Sequence, residues 1–166
     1  MREKETLKRF VSELKVNLEE IENTVLVQVL DDLENVKVSR DKPYYRSMVN
    51  SLGKSLHDFY DAIQVFLFER VADETGEGRP RAEQYHKVLL RNMSSEIEGI
   101  RPPIISKATY EKLEEYLRFR HLFRHTYGYR LEEDRFIHLA EAVQEVFRGL
   151  KEEVVDFCQR LEEGDS

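Results

Sequence analysis

LKRFVSELKVNLEEIENTVLVQVLDDLENV, residues 7–36, decides the fold class. Its apolar positions Leu7, Val11, Leu14, Leu18, Ile21, Val25, Val29, Leu33 and Val36 follow one another at steps of three or four, and charged residues fill much of the space between. That period lays an apolar stripe along one side of a 3.6-residue helix, whereas a half-buried strand would alternate every second residue. The stretch therefore predicts a long amphipathic helix, and the rest of the chain repeats the pattern.

SRDKPYY, residues 39–45, breaks the first helix, because Pro43 disfavours helical geometry at Lys42. A second helix is expected from about Tyr44, with Met48, Leu52, Leu56, Phe59, Ile63 and Phe66 inward, ending before the Gly-rich acidic loop DETGEGRP. Pro80 stands where an N1 proline would, so RAEQYHKVLLRNM, residues 81–93, reads as a short third helix with Tyr85, Val88, Leu89 and Met93 inward. The prolines and Gly99 of SSEIEGIRPPIIS make an extended connector. Ser106 then caps a fourth helix, whose inward side is Tyr110, Leu113 and Leu117, with Phe119 or Phe123 joining toward its end at Gly128. A last helix spans about Leu131 to Leu161 with Phe136, Leu139, Val143, Val146, Leu150, Val154, Phe157 and Leu161 at three-four spacing, and the acidic EEGDS tail frays. The expectation is an all-α, up-and-down bundle of about five helices in a single domain spanning residues 1–166.

A formal net charge of -7 argues against an unselective nucleic-acid coat, which needs lysine and arginine over a whole face. One cysteine, Cys158, excludes an intrachain disulfide and reads as a small buried hydrophobe. MREKETLKRF has no signal-peptide character, and IQVFLF, the longest uncharged apolar run, falls far short of the roughly 20 residues of a membrane span. A cytoplasmic protein with no membrane contact is expected.

Against that acidic background, RFRHLFRHTYGYR, residues 118–130, holds Arg118, Arg120, Arg124 and Arg130 with no acidic residue among them. Arg120 and Arg124 are one helical turn apart, as are His121 and His125, so guanidinium and imidazole groups share the end of the fourth helix. Guanidinium forks grip phosphate oxygens, and imidazole exchanges protons near neutral pH, which suits cleavage of RNA through its own 2'-OH without a metal. Neighbouring arginines favour neutral imidazole and the helix C-terminus favours the charged form; the sequence leaves that balance open.

RHLFRHTY matches R-x4-H-x-Y and resembles the signature of HEPN-domain endoribonucleases, specifically the HepT toxins that are paired with a minimal nucleotidyltransferase antitoxin. SLHDFYDAIQVFLFERVADE and RPPIISKATYEKLEEYLRFRHLFRHTYGYRLEEDRF are similar to HepT-like proteins as well, and the resemblance covers the chain from about Leu52 onward. It implies an HEPN-like bundle and a catalytic pair, Arg120 and His125, with His121 supporting. It also implies that Tyr127 receives AMP from the antitoxin, that two chains form a homodimer with a composite site, and that no cofactor is needed. Read from the residues, Arg118, Arg124 and Arg130 are either solvated or RNA-backbone contacts, with at least one of them pairing to a glutamate such as Glu114. One position departs from the group's usual pattern: the residue after the motif arginine is His121 in place of Asn or Asp, which alters the site's proton inventory.

Other readings attach to the same residues. Arg120 and His125 also suit compensation of the helix C-terminal dipole, and a tyrosine at 127 suits a core edge with a wet hydroxyl. The i, i+4 pair His121 and His125 is short of a metal site, and Glu83 with His86 forms one E-x-x-H where a di-iron bundle needs two. His57, Asp58 and Asp61 on the second helix either face the cleft or line an ordinary helix surface. At the level of function, the alternative to a toxin is a non-catalytic helical docking subunit of a nucleotidyltransferase, and a plain structural bundle with a phosphate-binding surface ranks behind both.

Overall fold

The computed structural model describes residues 2–81, 84–125 and 133–164, apart from the side chains of Arg2 and residues 121–125. Among the described residues the chain forms five helices and no strand, the all-α bundle expected. Helix α1 runs as Arg2–Glu20, a π-helical turn Ile21–Leu26, and Val27–Val38; α2 runs as Tyr45–Ile63, a π-helical turn Gln64–Phe68, and Glu69–Glu74. Helices α3 (Tyr85–Met93), α4 (Lys107–His125) and α5 (Glu133–Gly164) complete the order. Helix α2 packs against α1, α4 and α5, α5 also packs against α1 and α4, and α3 rests on α4 and the π-turn of α2.

The two π-turns correct the stripes read from a uniform 3.6 period. Each turn admits one extra residue, so the residues beyond it rotate relative to those before. In α1 the buried series steps five residues from Ile21 to Leu26, and Val25 is only half-buried. In α2 it passes from Ile63 to Leu67, Phe68 and Val71, which leaves Phe66 49% exposed on the outer side. The Phe66 carbonyl there accepts a hydrogen bond from Asn17 Nδ2 of α1 at 2.9 Å, so a side chain satisfies an acceptor at the distorted turn.

Other boundaries shift for local reasons. Helix α2 ends on Thr75, whose hydroxyl donates to the Val71 carbonyl, and Gly76 follows at φ +78, the left-handed conformation that glycine adopts without a Cβ penalty. Pro80 is not the N1 residue of α3, which begins at Tyr85; Leu90 is buried beside Leu89 and Met93, and Tyr85 and Val88 are half-buried. Glu83, Phe123 and Gly128 lie outside the residues or side chains described. Three residues of the EEGDS tail extend α5 as helix.

The Ser106 cap holds: its Oγ accepts the Thr109 N–H at 3.2 Å. Glu153 of α5 accepts from the Ser106 N–H and Oγ–H and from the Thr109 hydroxyl, fastening the start of α4 to α5. Cys158 is fully buried, and burial pushes its thiol up to about 11, as suits a small hydrophobe.

Behind the connector sits a buried ion pair. Arg101 Nε and Nη2 donate to Glu77 at 2.5 and 2.7 Å, and the same guanidinium donates to the carbonyls of Ser95, Pro102 and Asn92. The Arg101 side chain is 0% exposed and Glu77 9%, so every bond formed offsets desolvation. Arg101→Met leaves the Glu77 carboxylate buried without its partner and is expected to lower stability by about 3–5 kcal/mol in urea melts. A loss below about 1 kcal/mol, the scale of a surface pair, would show that the loops are held by other contacts.

Candidate functional site

Aromatic packing fixes the C-terminal half of α4. Tyr116, 2% exposed, donates its hydroxyl to the Leu139 carbonyl of α5 at 2.7 Å and meets Phe59 of α2 edge-on at 5.5 Å. Phe119 meets Phe136 of α5 edge-on at 4.4 Å, with both rings buried. Tyr116 joins the inward set predicted for α4, and Phe119 fills the place allowed to it. With Phe119 locked against α5, the next residue falls beside α2.

That next residue is Arg120. Its Nε donates to Asp61 Oδ1 of α2 at 2.6 Å, and its side chain is only 11% exposed. Asp61 in turn presents Oδ2 to His57 Nδ1 at 3.4 Å, one helical turn earlier, and His57 Nδ1 lies 3.6 Å from Asp58. The described residues thus bring the motif arginine together with the cluster on α2 that the sequence left undecided. A sheltered guanidinium bonded across helices is poorly placed to compensate a helix terminus.

Tyr60 adjoins the same place. It is fully buried, and its hydroxyl has no hydrogen-bond partner among the described residues. Burial pushes its phenol up, with the Arg120 charge pulling the other way, so it stays protonated. Arg118, by contrast, is exposed and donates to Glu114 Oε1 at 2.7 Å, the glutamate pairing expected for one of these arginines. That hydrogen bond holds Glu114 below the usual carboxylate range.

Helix α4 continues through His125, so Arg120, His121, Arg124 and His125 lie on one helix, with the motif arginine and histidine about 7.5 Å apart along its axis. The side chains of His121, Arg124 and His125 lie outside the description, as do Tyr127 and Arg130 altogether. Across the 126–132 segment, Glu133 at the start of α5 accepts a hydrogen bond from the Tyr45 hydroxyl of α2. Burial and that carboxylate push the Tyr45 phenol up to about 12. His86 Nδ1 of α3 bonds Gln64 Oε1 of α2 at 2.8 Å.

Asp61 as the partner of Arg120 was missed in the sequence because 59 residues separate them. The available signal was a titratable pair, His57 and Asp61, at i, i+4 spacing beside the apolar positions of α2.

Tyr60→Phe removes a buried hydroxyl that has no partner among the described residues, and is expected to raise the free energy of unfolding by about 1 kcal/mol. A comparable destabilisation in thermal melts would reveal a bond to that hydroxyl from residues beyond those described.

Neither the curated proteins nor the solved structures compared with the chain include a match. A family model described as HepT-like protein matches residues 51–161, from within α2 to near the end of α5, and so takes in the Arg120–Asp61 contact and the whole R-x4-H-x-Y stretch. No described helix is long and apolar enough to cross a membrane. With two thirds of its length matched, the chain belongs to the HepT-like family and is, at that level, an HEPN-type protein of the toxin–antitoxin kind.

Proposed function

We propose that the chain is the toxin of a type II toxin–antitoxin pair: a metal-independent, cytoplasmic endoribonuclease that a nucleotidyltransferase antitoxin silences by transferring AMP to Tyr127. The observation that carries the reading is the sheltered Arg120 guanidinium, bonded to Asp61 at 2.6 Å on the helix that continues to His125.

Arg120 is the phosphate residue. Of its five N–H groups, the described residues engage only Nε–H, so the two amino groups remain for phosphate oxygens. His125 takes the proton from the ribose 2'-OH, and the 2'-oxygen attacks phosphorus. The bond to the 5'-oxygen breaks, and that oxygen takes a proton from an imidazolium. The products are a 2',3'-cyclic phosphate and a 5'-hydroxyl. Arg120 stabilises the charge that builds on the phosphorane. His121 supplies a second imidazole one helical turn before His125, and Arg118, Arg124 and Arg130 bear on the RNA backbone. A homodimer brings two such motifs to one cleft. In silencing, the Tyr127 phenol oxygen attacks the α-phosphorus of ATP, pyrophosphate leaves, and the added phosphate places bulk and negative charge beside Arg120 and His125.

Expressed alone, the chain is expected to halt growth and to cut RNA in EDTA. His125→Ala should lower cleavage about 10²- to 10⁴-fold, the usual worth of a positioned general base. Arg120→Ala should abolish it with the far-UV circular dichroism unchanged. Undiminished cleavage in both variants would remove these residues from the chemistry, and toxicity or complex formation without any RNA cleavage would favour the docking-subunit reading.

Intact-mass measurement after incubation with the antitoxin, ATP and Mg²⁺ should show addition of AMP to the wild type and none to Tyr127→Phe. A gain of the same mass by the variant would move the modified residue elsewhere.

A further inference from the structure

We infer that Asp61 is the positioning residue of this site: its carboxylate, set between Arg120 Nε and His57 Nδ1, orients the guanidinium so that its amino groups meet the scissile phosphate. The inference rests on the ribonuclease reading and names the residue on which the arginine's aim depends.

Three observations combine. Asp61 Oδ1 takes the Nε–H at 2.6 Å in a short charge-assisted bond, which leaves the amino groups as the unengaged part of the fork among the described residues. Asp61 Oδ2 lies 3.4 Å from His57 Nδ1, so an imidazole of its own helix lines the far side of the carboxylate. The neighbours of both partners are immobilised: Phe119 packs on Phe136, and the fully buried Tyr60 precedes Asp61. An arginine side chain has several rotatable bonds, and a guanidinium grips phosphate bidentately only when its plane is set. A fixed backbone on both helices and one carboxylate on Nε remove most of that freedom before RNA arrives, which is how a supporting residue raises the rate without touching substrate.

Charge alone predicts the opposite sign. Removing a carboxylate from beside a phosphate site relieves repulsion, so a bystander Asp61 would bind RNA less well than its alanine variant does. Positioning predicts that the alanine variant binds worse.

The test uses the full chain in three forms, wild type, Asp61→Ala and Asp61→Asn, each checked for an unchanged fold by far-UV circular dichroism and thermal melting. In Asp61→Ala, kcat for RNA cleavage is expected to fall about 10- to 100-fold, with KM rising less. Asp61→Asn should recover part of the loss, because its amide oxygen still accepts from Nε–H. A 2'-deoxy oligonucleotide, which cannot be cleaved, should bind Asp61→Ala more weakly than wild type. The Arg120 Nε–H proton, assigned by its disappearance in Arg120→Lys, should exchange with solvent more slowly in wild type than that of the exposed Arg118, and lose the difference in Asp61→Ala.

An alanine variant with kcat at or above wild type, or with tighter oligonucleotide binding, overturns the inference. If the wild-type chain cuts no RNA, the ribonuclease reading falls on its own, and the oligonucleotide and proton-exchange measurements still decide whether Asp61 aims Arg120.

Discussion

Phe59 is the contact on which the arrangement of the other helices depends. It is fully buried at the middle of α2, meets Tyr116 of α4 edge-on at 5.5 Å and faces Phe147 of α5 at 6.4 Å. Three helices are thereby registered on one ring. Edge-to-face pairs of this kind contribute about 0.5–1.5 kcal/mol each beyond area burial, and they are directional, so they set rotation as well as distance. Once α4 is rotated to put Tyr116 on Phe59 and Phe119 on Phe136, Arg120 has little choice but to lie along α2. The position of the arginine follows from hydrophobic packing, and its ion pair with Asp61 follows from that position.

The same dependence makes a polar site tolerable at a mostly apolar boundary. Arg120 and Asp61 are partly withdrawn from water, and each charge is compensated by the other at hydrogen-bond distance. The Tyr60 hydroxyl, by contrast, is buried beside them without a described partner. Polar groups left unsatisfied in a core are uncommon, and they cluster where function outweighs stability. Elsewhere the chain spends its buried charge on structure: the Arg101–Glu77 pair and its three carbonyls brace the loops that deliver α3 and α4.

Much of the fold was legible from residue spacing. Five helices, the break at Pro43, the Ser106 cap, the inward series of α5 and the burial of Cys158 all follow from period, capping chemistry and proline geometry. Phe66 was misread, and Leu26 beside Val25 was missed, because a periodic template assumes 3.6 residues per turn throughout, and the π-turns at Ile21–Leu26 and Gln64–Phe68 break that assumption. Nothing local distinguishes them; the Asn17 bond to the Phe66 carbonyl that supports one of them joins residues 49 apart. Pro80 was misread because a proline suits an extended loop as well as a first helical turn.

Of the candidate site, the sequence alone determined its ingredients. An arginine and a histidine five positions apart, at the end of a helix that is basic in an acidic chain, need no third dimension to be noticed. What only the tertiary structure decided is the company Arg120 keeps: Asp61 and His57, from a helix about sixty residues earlier, and the buried hydroxyl of Tyr60, without a partner among the described residues. Helical periodicity states which side of a helix is apolar, since that depends on neighbours three and four residues away. Which polar residues meet at the boundary between two helices depends on their relative rotation, and here buried aromatic rings set that rotation.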